Sequence, residues 1–187
     1  IGVALLVAFL FVEQRAPEAI LPLELFRNRT FAVTSAIGFI IGLALFGSIT
    51  YLPLYLQIVK GLSPTKSGLQ LTPMMAGLLV TSILAGRAIS RWGRYRVFPI
   101  VGTALMAVAM FLLAQLSFSS AVYTAAVDMV ILGLGLGMVM QVLVLAVQNA
   151  VPFRVMGVAT SGSILFRQVG GSIGLAIFGA IFSNSLH

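Results

Sequence analysis

The chain is predicted to be an all-α integral membrane bundle, and three observations predict it. Hydrophobic residues make up 60% of the 187 positions and charged residues 8%, more apolar side chain than one soluble core of this length can hide. Uninterrupted charge-free runs cover residues 30–59, 67–86, 97–127 and 129–153, and each reaches the ~20 residues that a helix needs to cross a hydrocarbon core of about 30 Å. A fifth apolar run, residues 156–183, is broken by one charge, Arg167.

Taken in order, residues 1–12 (IGVALLVAFLFV) are apolar but short and read as the closing turns of a further transmembrane helix. No basic segment precedes them, which separates them from a secretory signal peptide. The chain opens in mid-helix without Met, so it is expected to be a fragment. Residues 13–29 (EQRAPEAILPLELFRNR) are a polar, proline-bearing cytoplasmic connector. Its ILPLELF core reads either as a short amphipathic helix on the inner leaflet or as an irregular tether. Residues 30–187 form the bundle, with spans expected at about 30–56, 67–86, 97–117, 122–149 and 156–183. Pro53 and Pro73 stand near span ends, where a bend would expose backbone to a cavity; Pro53 reads first as a plain helix boundary.

If each span crosses once, Arg15, Arg27, Arg29, Arg87, Arg91, Arg94, Arg96 and Arg154 fall on one side and Lys60 and Lys66 on the other. Lys and Arg concentrate on the cytoplasmic side of short loops, so the first side is cytoplasmic and the C-terminal residues emerge outside. Most of the +7 net charge is therefore orientation signal, and a nucleic-acid partner is excluded for want of a basic face on a soluble scaffold. Phe26, Phe31, Trp92, Tyr95 and Phe98 mark the inner boundary; Tyr51, Tyr55, Phe118 and Tyr123 mark the outer one.

Within the spans, polar chemistry is sparse and therefore informative. A guanidinium at mid-membrane costs at least ~2.5–3.5 kcal/mol on insertion scales, so Arg167 needs a polar partner or a wet cavity. It stands 11 residues from Met156, about 16 Å into its helix at 1.5 Å per residue. Asp128, the sole acid inside a span, is one partner to consider; the alternatives are Gln141, backbone carbonyls or residues beyond this chain. Gln141, Gln148, Asn149 and Gln168 add neutral hydrogen-bonding groups, and Met74, Met75, Met138 and Met140 add adaptable apolar surface. Arg167, Gln168, Gln141, Asp128 and Met138 are the candidate lining of a substrate cavity or polar pathway. Gly38 and Gly42, Gly133 and Gly137, and Gly170 and Gly174 are each four apart, which lets a neighbouring backbone approach. GLGLG, residues 133–137, lacks the preceding strand and following acid of a dinucleotide loop. An enzyme is not expected: the one histidine is His187, so Thr160 to Ser163 (TSGS) has no base, and metal sites are excluded by the same want of ligands.

The loop expected after the second span reads GRAISRWGRYR, a turn permitted by Gly93 and carrying four guanidiniums. Here the chain resembles the major facilitator superfamily, whose cytoplasmic signature has the form G-x-x-x-D-R-x-G-R-[RK]. Gly86, Arg91, Gly93 and Arg94 occupy the matching places, with Ser90 where the pattern has Asp and Tyr95 where it has a cation. GLSPTKSGLQLTPMMAG, with LFRNRTF and YLPLYLQ before it and the Arg167, Gly170, Gly171, Gly174 span after it, is similar to the 14-helix drug:proton antiporters of the QacA/EmrB type. The resemblance implies a C-terminal half fragment: the end of one helix and five full ones of a major facilitator bundle, with the N-terminal half absent. It further implies a proton-coupled multidrug exporter of the cytoplasmic membrane, moving lipophilic or cationic small molecules by alternating access. Small-molecule substrate, protons and bilayer would be its partners, the proton gradient its energy source, and no cofactor is expected. Gly86, Ser90, Arg91, Gly93 and Arg94 would form a cytoplasmic gating loop. An exporter of an endogenous lipid, peptide or siderophore would carry the same features, and a non-transport scaffold or sensor is the third reading.

Overall fold

A computed structural model describes residues 23–93, 95–116 and 122–185. The expected helix end at residues 1–12, the connector up to residue 22, and the single positions Arg94 and Phe118 lie outside the described residues. A 3-10 turn, η1 (Leu23–Arg27), leads into α1 (Arg29–Lys60), the short α2 (Pro64–Leu69), α3 (Thr72–Trp92) and α4 (Val97–Ala114). Then follow α5 (Val122–Ala150), a second 3-10 turn, η2 (Phe153–Val155), and α6 (Met156–Ser185). Five stretches are long and apolar enough to cross a membrane, and the described residues hold no strand.

The ends of these helices follow from identifiable residues. Asn28 stands extended before α1, and its Oδ1 accepts from the backbone N–H of Thr30 at 2.9 Å and of Phe31 at 3.4 Å, satisfying two donors that the first turn leaves free. Its Nδ2 donates to the carbonyl of Ala150 at 2.7 Å, so one side chain starts α1 and closes α5. Gly61 and Gly93 end α1 and α3 in the left-handed region, at φ 63° and 67°, where a side chain would be strained. Pro64 and Pro73 sit in first turns, where a missing N–H costs nothing.

α1 packs along α6, and both α3 and α4 pack along α5; α1 and α6 touch α5 more lightly. Register gives the directions. Gly38 lies by Ser163, Gly42 by Arg167, and Gly47 by Phe178, so α1 and α6 run in parallel. Met74 lies by Gly133, Leu78 by Gly137, and Ser82 by Gln141, so α3 and α5 do too. α5 is the most enclosed helix: Met129, Leu132, Leu136 and Val139 are fully buried against Met74, Met106, Ala109 and Ile41. The outward faces carry Leu79, Ile83, Ile100, Phe111 and Val127, an apolar belt that water would penalise and lipid does not.

Three expectations about boundaries are corrected. Pro53 lies inside α1, which continues to Lys60, and Pro73 is the proline that marks a helix start. The second span, expected from residue 67, lies within the membrane-long stretch Pro64–Trp92, in which Ser63 caps the separate turn of α2, Ser67 is buried with its hydroxyl on the Pro64 carbonyl, and the long helix starts at Thr72. Its end is later than residue 86: GRAISRW is helical to Trp92, and the turn is confined to the residues from Gly93. The Leu23–Arg27 part of the connector is neither a free amphipathic helix nor an irregular tether. It docks on the bundle, with Leu25 buried and the Phe26 ring edge-on to Phe31 and Phe166 at 5.2 and 5.4 Å.

Candidate functional site

Arg167 is placed by the glycines around it. Gly38 and Gly42 of α1 have no side chain to keep α6 away, and a Cβ added at Gly42 would stand on the Arg167 carbonyl. The guanidinium therefore leaves the α1–α6 seam sideways toward α5, where its Nη1 donates to the Sδ of Met140 at 3.1 Å. A thioether is a weak acceptor, and a guanidinium offers five N–H donors. The half-buried Arg167 thus keeps most of its hydrogen-bonding capacity uncommitted. A small void beside it, about 10 Å³, is bounded by Gly38, Val144, Val147, Thr160, Ser163 and Arg167. One helical turn before Gly38, Ser35 is buried with its hydroxyl unpartnered.

Asp128 is not the partner of Arg167. Met140, which Arg167 reaches, is twelve residues from Asp128 on the same helix, about 18 Å along its axis. Asp128 stands among the sequence candidates because counting along the chain does not fix the register between α5 and α6. Asp128 is 4% exposed, toward the outer end of α5.

Gln141 follows Met140 but turns to α3. Its Oε1 accepts from the Ser82 hydroxyl at 3.4 Å, and Gly86 leaves room for its amide. Gln141, Ser82, Gly86, Arg87, Ser90 and Arg91 line a crevice of about 660 Å³ at the cytoplasmic end of α3. Both arginines are exposed. Gln168 is exposed on α6, and Met138 points to Gly102 of α4, a different face of α5 from Met140. The structure thus joins Arg167 to Met140 and Gln141 to Ser82, and leaves Asp128 and Met138 elsewhere.

The four packing glycines each sit at a close helix contact. A Cβ on Gly133 would meet the Met74 carbonyl, on Gly137 the Leu78 carbonyl and Thr81, on Gly170 the Phe39 carbonyl, and on Gly174 the backbone of Leu43. Sequence reading missed Ser82, Thr160 and Ser163 as neighbours of the polar groups. The spacing of Ser82, Gly86 and Ser90, four apart, was the available signal for one face. It also missed an outer, mainly apolar cavity of about 360 Å³ between α1 and α4, lined by Ser48, Tyr51, Tyr55, Met110 and Phe178. Among the described residues no three His, Cys, Asp or Glu side chains gather where a metal could be held.

The sequence model of the Major Facilitator Superfamily matches residues 1–175. The chain is 46% identical over 178 residues to an uncharacterized MFS-type transporter of Mycobacterium tuberculosis strain H37Rv, covering 95% of this chain and 26% of that protein. It is 39% identical over 178 residues to the multidrug transporter protein MdtP of Bacillus subtilis, covering 95% of this chain and 33% of that protein. To a tetracycline resistance determinant of Streptomyces rimosus it is 38% identical over 188 residues, covering 100% of this chain and 54% of that protein. The chain therefore spans between about a quarter and a half of the length of these relatives.

Proposed function

Because the chain belongs to the major facilitator superfamily, a family of multi-pass membrane transporters and not of enzymes, we propose that it is the C-terminal part of a small-molecule efflux transporter. The names of two of its relatives, a multidrug transporter and a tetracycline resistance determinant, support export as the direction. The single observation that carries the reading is Arg167. A mid-span guanidinium whose partner is a thioether is expensive in a protein that only spans the bilayer, and is explained by a cavity through which polar groups pass. The two halves of such a transporter rock about a site near the midplane, and on this reading the faces of α5 and α6 around Arg167 are this chain's share of it.

Export is proposed to be coupled to protons. Asp128 is the one carboxylate in the described spans, and it stands apart from Arg167, so this reading puts the main proton-carrying groups in the N-terminal half of the full-length protein. The test is efflux of a panel of lipophilic dyes from cells expressing the full-length protein, with and without a protonophore. Gradient-dependent efflux that falls at least about tenfold in a normally inserted Arg167→Leu variant is the expected result. Efflux that ignores the protonophore removes proton coupling, and a variant as active as the parent removes Arg167 from the pathway.

A further inference from the structure

The charges that face the crevices are of one sign. Arg87 and Arg91 line the cytoplasmic crevice together with Ser82, Ser90 and Gln141, all of which can donate hydrogen bonds. Deeper in the membrane Arg167 directs its guanidinium across the α5–α6 gap to Met140. Met140 and Gln141 are consecutive on α5 but face α6 and α3, so the two cationic places lie at a similar depth on different faces of one helix. Among the described side chains no acid answers them. Of the four acids in the chain, Glu13, Glu18 and Glu24 precede α1, and Asp128 lies three turns of α5 from Met140 toward the outside.

A crevice lined by one sign of charge between low-dielectric walls concentrates ligands of the opposite sign. Among the described residues a cation entering here would meet three guanidiniums and no carboxylate, and the cost of like charges at a desolvated site selects against a wrong substrate. Around Arg167 the neighbouring side chains are mainly apolar, Leu143, Val144, Val147 and Ile164 with Thr160 and Ser163 among them, bordering a void of only about 10 Å³. Resting on the exporter reading above, we infer that the substrates are amphiphilic acids. Each carries a carboxylate, sulfonate or phenolate on an apolar or aromatic body, collected by Arg87 and Arg91 at the cytoplasmic mouth and held at mid-span by Arg167. Of the lipophilic or cationic small molecules implied by resemblance, this keeps the lipophilic body and departs from the cationic charge.

The experiment uses two dyes that share a xanthene core and differ in charge, fluorescein as the anion and rhodamine 6G as the cation, with full-length protein in proteoliposomes. Wild type moves fluorescein with kcat/KM at least about tenfold above that for rhodamine 6G, the usual effect of a charge-assisted hydrogen bond. Arg167→Gln loses this preference, and Arg167→Lys, which keeps the charge without the fork, regains part of it. Arg87→Gln with Arg91→Gln raises KM for fluorescein and leaves kcat, whereas Arg154→Gln, outside both crevices, changes neither. Transport of rhodamine 6G in preference to fluorescein leaves the exporter standing and overturns the inference. So does an equal loss of both dyes in Arg167→Gln, which would instead indicate a carboxylate partner supplied by the rest of the protein. If wild type moves neither dye, thermal stabilisation of the detergent-solubilised protein decides: stabilisation by fluorescein that Arg167→Gln abolishes supports an anion site without these dyes as cargo, and its absence overturns that site.

Discussion

At the scale of single residues, the chain spends its few polar side chains on joints. Asn28 is the clearest case, because its two side-chain atoms serve two helices: Oδ1 caps the start of α1 and Nδ2 closes the end of α5. Replacing it with Ala removes a helix cap, worth about 1 kcal/mol, and leaves a carbonyl at the end of α5 short of a donor, a further ~1–3 kcal/mol if water does not reach it. Asn28→Ala in the full-length protein is therefore expected to lower the melting temperature in detergent, and Asn28→Asp, which keeps the cap and loses the second bond, to lie between. A melting temperature for Asn28→Asp equal to that of wild type would show that the bond to Ala150 contributes nothing. Tyr51 acts in the same way at the other end, its hydroxyl donating to the Leu175 carbonyl at 3.0 Å between α1 and α6.

At the scale of helices, association rests on backbone approach and not on expelled water, since lipid is as apolar as leucine. Gly42 against Arg167, Gly133 against Met74 and Gly170 against Phe39 are the contacts with the least room. Gly133→Val and Gly170→Val are each expected to destabilise by about 1–3 kcal/mol, the range for forcing extra methylenes into a packed interior. Gly157, with nothing near an added Cβ, is the matched control. Thermal unfolding followed by tryptophan-independent circular dichroism checks the ranking.

These glycines also show how far the sequence could be read. Their four-residue spacing identifies them as packing positions, and charge-free runs identify the helices, because bilayer thickness and desolvation act on local stretches of chain. Register between helices is not local, which is why Asp128 and Arg167 could not be separated by counting alone. The extension of α3 to Trp92 escaped notice for a related reason: arginines were read as loop, although Arg87 and Arg91 hold helix while their long side chains reach outward to the polar boundary. Met140 was visible as adaptable surface, but its contact with Arg167 depends on how α6 is rotated, which the glycine notches of α1 decide.

At the scale of the whole molecule, orientation is the property most open to test. The chain contains no cysteine, so introduced thiols report alone once any cysteines elsewhere in the full-length protein are replaced. Lys66→Cys, exposed on α2, is expected to react with a membrane-impermeant maleimide in intact cells, and Arg96→Cys only after permeabilisation. The opposite pattern would invert the bundle in the membrane and with it the assignment of the Arg87 crevice to the cytoplasm.

The pairing of α1 with α6 has a consequence for synthesis. Phe39 rests against Gly170, and between those two residues the ribosome must add α2 to α5 as well as the first half of α6. At ~5–20 residues per second that interval is on the order of ten seconds, while α3, α4 and α5 meet sooner because they follow one another closely. Throughout that interval the notch at Gly38 and Gly42 faces lipid, or whatever attends nascent helices in the membrane, without its mate. A ribosome that stops before α6 therefore releases a chain with a nearly complete α3–α4–α5 unit and an orphaned first helix, a form that membrane proteases can tell from the finished protein.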